Sequence, residues 1–226
     1  MIKRFILPAL VLSFTIAANA QPIREGYGGI GFHVGRSIAT KAGDRSGVVA
    51  GWNCQFAFPI KNGPFDWGFG FDKEVLEVER RAVTLRFPDF QTFSGTLTMT
   101  NKSIGVLPFL RYRPFDAGTF MPYAEVFAGG RLFTTSSSVA LGYEEAASGR
   151  DTHTDIATAW GTAAGLMLRF SNRVYLDLRF ARSWGGQATQ PDLESIVVDT
   201  YGRLHFDDRA TDTGAWRFHA GLVGYF

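Results

Sequence analysis

The chain is short of three things. It has one cysteine, Cys54, in 226 residues; it carries almost no surplus charge of either sign; and past Ala20 no purely apolar stretch exceeds about five or six residues. A single cysteine excludes an internal disulfide framework, and Cys54 reads as a small apolar residue on a strand. The 23 Lys and Arg stand against 21 Asp and Glu, and two of the bases, Lys3 and Arg4, lie in a segment argued below to be removed, which leaves 21 against 21. A neutral chain without a basic run gives no electrostatic reason to expect a nucleic-acid partner. The missing run of about 20 apolar residues excludes a helical membrane protein.

What is abundant points the other way. Glycine (26) and phenylalanine (21) are heavily used, while charged residues make up only 19%, below the roughly 25% usual in globular proteins. Such a composition suits many short strands with a greasy face and rules out disorder. Residues 1–20 open with Lys3 and Arg4, continue through the apolar run Phe5 to Ala17 and close on Ala18-Asn19-Ala20. Those are the three regions of a cleaved secretory signal peptide, too short to span a bilayer. Residues 1–20 are therefore expected to be removed, leaving 21–226 as one domain.

Period-two alternation fills that domain. Trp216, Phe218, Ala220, Leu222, Gly224 and Phe226 alternate with Arg217, His219, Gly221, Val223 and Tyr225 up to the last residue. Seven further segments repeat the pattern, with outward faces expected at Ile30–Val34, Val48–Phe58, Phe65–Phe71, Val106–Tyr112, Ala124–Leu132, Ala164–Phe170 and Val174–Phe180. A soluble sandwich would bury one face of each sheet and would not leave Trp52, Trp67 and Trp184 on the other. Eight strands of about ten residues instead match a bilayer-spanning barrel.

Parity tests the pairing. The apolar face is even-numbered before Asn62-Gly63 and odd after it, as a two-residue hairpin requires. It stays even across Ser171-Asn172-Arg173, which calls for an odd loop of three. The turn within Phe115 to Thr119 preserves parity and is expected to hold three or five residues. A ten-stranded alternative would take an extra pair from residues 74–100, but Glu74 to Arg81 puts charge on both faces, which is costly toward lipid.

Ser103 to Tyr112, Pro122 to Gly130 and the terminal Gly221 to Phe226 together resemble the small OmpA/OmpX-type outer-membrane β-barrel domain proteins found in Bacteroidetes-like and other Gram-negative envelopes. The resemblance implies an all-β, eight-stranded antiparallel transmembrane barrel in the cell outer membrane. It also implies short periplasmic turns, long extracellular loops, a monomeric state, and outer-membrane lipid as surroundings. Phe226, Leu222 and Phe218 would form the signal read by the outer-membrane assembly machinery. Outer-membrane lipid-modifying enzymes of this size carry Ser two residues after the catalytic His; at His33, His153, His205 and His219 that position holds Gly35, Asp155, Asp207 and Gly221. No catalytic residue, cofactor or metal site is therefore expected.

Function is sought in two places. Facing the lumen, Arg111, Arg113, Arg131, Arg169, Arg179 and Arg217 share space with Asp66, Asp72, Glu125 and Asp177, with Arg169 diagonal to Asp177 and Arg111 diagonal to Glu125. Buried charges must be paired, so an ion-pair network plugging the lumen is expected, with a narrow pore for small solutes as the alternative. His33 and His219 become neighbours when the barrel closes and are read as hydrogen-bonded interior residues. The second long connection holds β-prone runs at Val75–Glu79 and Thr96–Thr100 that would extend strands three and four, with Phe87 and Phe90 as anchors at an exposed tip. A structural or adhesin-like role is expected there, with an extracellular protein or glycan as the ligand.

Overall fold

In a computed structural model of the protein the structure describes residues 25–37, 47–61, 63–86, 92–115, 118–141, 151–191, 197–198, 204–205 and 207–226. The signal-peptide segment and the anchors Phe87 and Phe90 lie outside the described residues. The strands are β1 (Tyr27–Ser37), β2 (Val48–Pro59), β3 (Phe65–Arg86), β4 (Thr92–Tyr112), β5 (Phe120–Leu141), β6 (Asp151–Arg169) and β7 (Val174–Gly185), then four short ones, β8 (Gln187–Pro191), β9 (Val197–Val198), β10 (Leu204–His205) and β11 (Asp208–Asp212), and finally β12 (Ala215–Tyr225). β1 to β7 and β12 close into one antiparallel barrel of eight strands in the order β1-β12-β7-β6-β5-β4-β3-β2. The ten-stranded alternative is set aside. Residues 74–86 and 92–100 are instead the upper parts of β3 and β4.

The alternation settles which face is which. Phe32 is 74% exposed on β1 and Phe218 48% on β12, while their chain neighbours His33 and His219 are buried. The same holds around the barrel: Phe56, Trp67, Leu110, Val126, Trp160 and Phe180 point out, and Gln55, Asp66, Arg111, Glu125 and Ala181 point in. An apolar exterior wrapped around a polar interior is the inverse of a soluble protein and the pattern that lipid demands. Aromatics gather toward both ends of the belt, with Phe58 5.3 Å from Trp67 near one rim and Trp160 4.8 Å from Trp184 near the other.

The short turns show how local chemistry sets register. Pro59 pairs with Asp66, so β2 and β3 are centred between positions 62 and 63, where the Asn-Gly dipeptide stands. Phe170 donates to Val174, which closes a three-residue loop over Ser171 to Arg173. The third turn is longer than the three or five residues expected. The β4–β5 pairing ends at Tyr112 and Ala124; Arg113 turns its N–H to Pro64 on the other side, and two residues on in that register Pro114 would face Pro122, neither of which has a backbone N–H to give. Gly118, at φ 145°, takes a backbone conformation there that suits glycine.

At the opposite end the wall is uneven. β2 pairs with β3 only as far as Val75, and β7 leaves β6 at Ala159, but β3, β4, β5 and β6 continue upward together through pairs such as Arg80 with Thr98 and Ser137 with Asp151. The extension expected for strands three and four is present. β5 runs on to Leu141 and β6 starts at Asp151, both well beyond the outward faces Ala124–Leu132 and Ala164–Phe170 that alternation picks out. A bulge between Val75 and Glu77 marks where β3 leaves the barrel, shifting its parity by one residue. β8 pairs with β11, and Ala188 joins Leu76, Phe133 and Ala157 in a small apolar cluster.

Candidate functional site

The lumen is the most chemically dense part of the molecule, and it is built in two tiers. Nearer the short turns, Arg111 on β4 is fully buried and donates from Nε and Nη2 to Glu125 Oε2 at 2.9 and 2.6 Å. Its Nη1 reaches the Tyr27 hydroxyl at 3.1 Å and its Nη2 reaches Gln55 Oε1 at 2.8 Å. The guanidinium also stacks 4.0 Å from the Tyr123 ring centre and 5.0 Å from that of Phe109. Arg113 lies 3.1 Å from Asp66, which also accepts the Tyr27 hydroxyl at 3.0 Å. Asp177 accepts from Tyr123 at 2.7 Å and from Gln55 at 2.9 Å.

The upper tier has a single hub. Glu74 is fully buried and receives Arg131 at 2.6 Å, Arg217 through Nε and, at 3.0 Å, through Nη2, and Ser103 at 3.2 Å. His33 Nε2 lies 3.1 Å from the same carboxylate. Arg131 reaches across to Asp72 at 2.5 Å, and Arg217 donates to the Ser183 hydroxyl. Between the tiers Arg179 bridges Glu125, at 3.1 Å, and His219, whose Nδ1 accepts at 3.2 Å. A cavity of about 30 Å³ lined by Asn53, Asp72, Glu125, Arg131, Arg179 and His219 remains, room for about two waters.

Two of the sequence expectations need correcting. Arg169 does not meet Asp177. It lies exposed at the rim, donating to Ser171 and Asn172 of its own turn, because at the end of β6 a guanidinium reaches water, where its charge costs less than inside the barrel. The missing member is Glu74, which parity from Asp66 and Asp72 places inward. Exchanging Arg169 for Glu74 turns six guanidiniums against four carboxylates into five against five: Arg111, Arg113, Arg131, Arg179 and Arg217 with Asp66, Asp72, Glu74, Glu125 and Asp177. Arg111 and Glu125 are directly opposite in register, where a diagonal pairing was expected.

His33 and His219 do come together, with ring centres 4.8 Å apart. Among the described residues no group of three or more His, Cys, Asp or Glu is arranged to hold a metal ion. At the C-terminus Phe218, Leu222 and Phe226 all face outward, and Phe226 donates its backbone N–H to Gly26.

No protein-family model matches the chain, and no curated protein does. Among solved structures it is similar to Neisserial surface protein A, with a TM-score of 0.53 at 12% identity over 89% of this chain and 97% of that one. Ail, the attachment invasion locus protein of Yersinia pestis, solved in complex with the heparin analogue sucrose octasulfate, aligns with a TM-score of 0.47 at 13% identity over 89% of this chain and 99% of that one. The first likeness and the exposed apolar belt agree on architecture: the chain has the fold of a small outer-membrane β-barrel.

Proposed function

We propose that the protein is a resident of the outer membrane whose lumen is plugged and whose role is structural or surface-binding, carried by the part that stands above the membrane. The observation that supports this best is the charge balance of the interior, five guanidiniums threaded with five carboxylates and completed by Tyr27, Gln55, Ser103 and Tyr123. Such a network leaves a passing ion no unpaired partner and little space. The upper parts of β3 to β6, paired with one another and with Leu97 and Met99 buried on their inner side, form a platform of the kind that presents recognition surfaces. An extracellular protein or glycan is the class of ligand it suits, bound without catalysis.

Planar-bilayer recording tests the reading. The purified protein should show no stable stepwise conductance, and steady unitary currents would favour the alternative of a narrow solute pore. A form lacking residues 76–98 should still fold, since the barrel pairings lie below it, but should lose surface adhesion. The N-terminal segment 1–20 is read as the signal peptide. Removing Phe226 should impair insertion by the assembly machinery, to be read as loss of the heat-modifiable folded band from outer-membrane fractions.

A further inference from the structure

Beyond Ser183 and Ala215 the β7–β12 pairing does not run straight on. It resumes at Gln187 with Asp212 as β8 and β11, after Trp184, Gly185 and Gly186 on one strand but only Thr213 and Gly214 on the other. An extra residue on one side of a two-stranded ribbon is a bulge, and a bulge bends it. This bend has glycine on both strands and is closely packed. The Thr213 hydroxyl donates to the Gly186 carbonyl at 2.8 Å, the Gly186 N–H donates to the Thr158 carbonyl at 2.8 Å, and a Cβ on Gly185 would overlap the Thr213 side chain.

The bend aims the ribbon inward. Ala188 is fully buried and clusters with Phe133 of β5 and Ala157 of β6, both on the inner face of the wall, and Leu76 of β3 packs against the same group. β3 stands four places from β7 around the ring of eight strands, so this apolar layer reaches from one wall of the mouth to the other. It lies directly above the upper tier. Ala157 is opposite Arg131 in the register, Phe133 is opposite Ser103, and Leu76 follows Glu74 by two residues. An apolar layer at that level keeps water from Glu74 and its arginines, and ion pairs are stronger where water is kept out. The next residue of the ribbon, Thr189, fastens it by donating its N–H to Asp155 at 2.6 Å. Among the described contacts, a buried methyl and a bond to a carboxylate thus hold the ribbon down, whereas β7 and β12 below it are joined by a continuous ladder. A segment attached in that way opens well short of global unfolding.

We propose that the β8–β11 ribbon is a hinged lid on the extracellular mouth of the barrel, turning at Gly185, Gly186 and Gly214, seated by Ala188 and latched by Asp155, and that its opening admits water and small solutes to the Glu74 hub. Short turns belong to the periplasmic side of such barrels, which puts this mouth outside the cell. The lid is a moving closure, and it depends on neither the plugged lumen nor the binding role proposed above.

The test uses the full protein carrying Cys54→Ala, refolded into phosphatidylcholine nanodiscs, and follows how fast a charged methanethiosulfonate reagent modifies single reporter cysteines. Ala188→Cys and Ala157→Cys, the two sides of the seat, should react about tenfold or more slower than Thr154→Cys on the exposed outer face. Asp155→Asn, which weakens the latch, and Gly185→Ala, which displaces Thr213, should each speed both reporters together by about tenfold. Gly214→Ala, whose Cβ has room beside Ser183, should leave both rates as they were. Reporters that react as fast as Thr154→Cys without any further substitution would show an open mouth and overturn the lid. A gain at Ala188→Cys with Ala157→Cys still shielded is the mark of a fraying strand end and would overturn it too. Should Gly185→Ala fail to refold, Asp155→Asn decides alone, since Asp155 stands above the aromatic girdle; no acceleration at either reporter in that variant refutes the proposal.

Discussion

The two tiers of the lumen solve the same problem with different materials. In the lower tier each arginine is padded by aromatic rings, Arg111 by Tyr123, Phe109 and Tyr27, and Arg113 by Tyr27 and Tyr225, and tyrosine hydroxyls supply extra hydrogen bonds. In the upper tier the described contacts of Arg131 and Arg217 are to carboxylates and serine, and both converge on one acid, Glu74. Padding spreads the cost of a lost partner over ring faces and hydroxyls. A hub concentrates it. The lower tier is therefore expected to tolerate single deletions better than the upper.

The sharpest way to break that comparison is to remove the central acid of each tier in turn. Glu74→Ala leaves two buried guanidiniums short of a partner and should cost about 4 kcal/mol. Glu125→Ala also strands two, but Arg111 keeps Gln55, Tyr27 and its ring contacts, so about 3 kcal/mol is expected. Urea titrations of the folded barrel in detergent, read by gel mobility, would check both; a larger loss for Glu125→Ala would reverse the ranking. Glu74→Ala should also be the variant that conducts, if either does.

Tyr27→Phe sharpens the comparison from the other side. It removes one hydroxyl that donates to Asp66 and accepts from Arg111 while keeping the ring, and should cost about 1 to 2 kcal/mol. A smaller effect still is expected at Arg169, whose contacts are to its own exposed turn; Arg169→Ala should stay within about 0.5 kcal/mol.

Above the membrane, pH reports on a different joint. Asp155 lies five residues beyond the girdle residue Trp160 on β6 and accepts the backbone N–H groups of Thr189 on β8, at 2.6 Å, and of Ile156, at 2.7 Å. Those two bonds, that from Thr189 foremost, hold its carboxyl below its ordinary value of 3.8. A lowered folded value means that the anchoring is complete above that ordinary value and fades as pH falls through the lower one. Amide exchange at Thr189 should therefore accelerate in strong acid while the barrel amides are unchanged. In Asp155→Asn the acceleration should already be present at neutral pH.

Much of this was legible from alternation alone. Period two assigns the faces of the eight strands within the apolar belt, because in a lipid-embedded wall an apolar exterior is enforced at most alternate residues. Reading failed where that enforcement stops. Lys73 sits at the interface, where a long side chain can reach water, and Glu74 is lumenal, so the pair looks like a charged loop although both residues are on β3. The bulge at Leu76 then flips the phase and hides the rest of the strand. Arg169 misled in the opposite sense, since parity points inward at a level where there is no longer an interior to point into. The third turn was misjudged because parity says nothing of Pro114 and Pro122 removing the donors that would have tightened it.

The seam between β1 and β12 joins positions about 200 residues apart, from Tyr27 with Tyr225 to Ser37 with Ala215. At its middle Gly31 and Gly221 face each other so closely that a Cβ on either would come within 2.8 Å of the other's Cα. Bringing chain ends together over such a span carries the largest loop-closure entropy of any pairing in the molecule, and at the glycines main-chain bonds alone offset it, while ring contacts help at Tyr27 with Tyr225 and His33 with His219. The cylinder is thus fastened, at the middle of its seam, by a clasp with no room for a side chain on either strand. A methyl group at either glycine would hold it ajar.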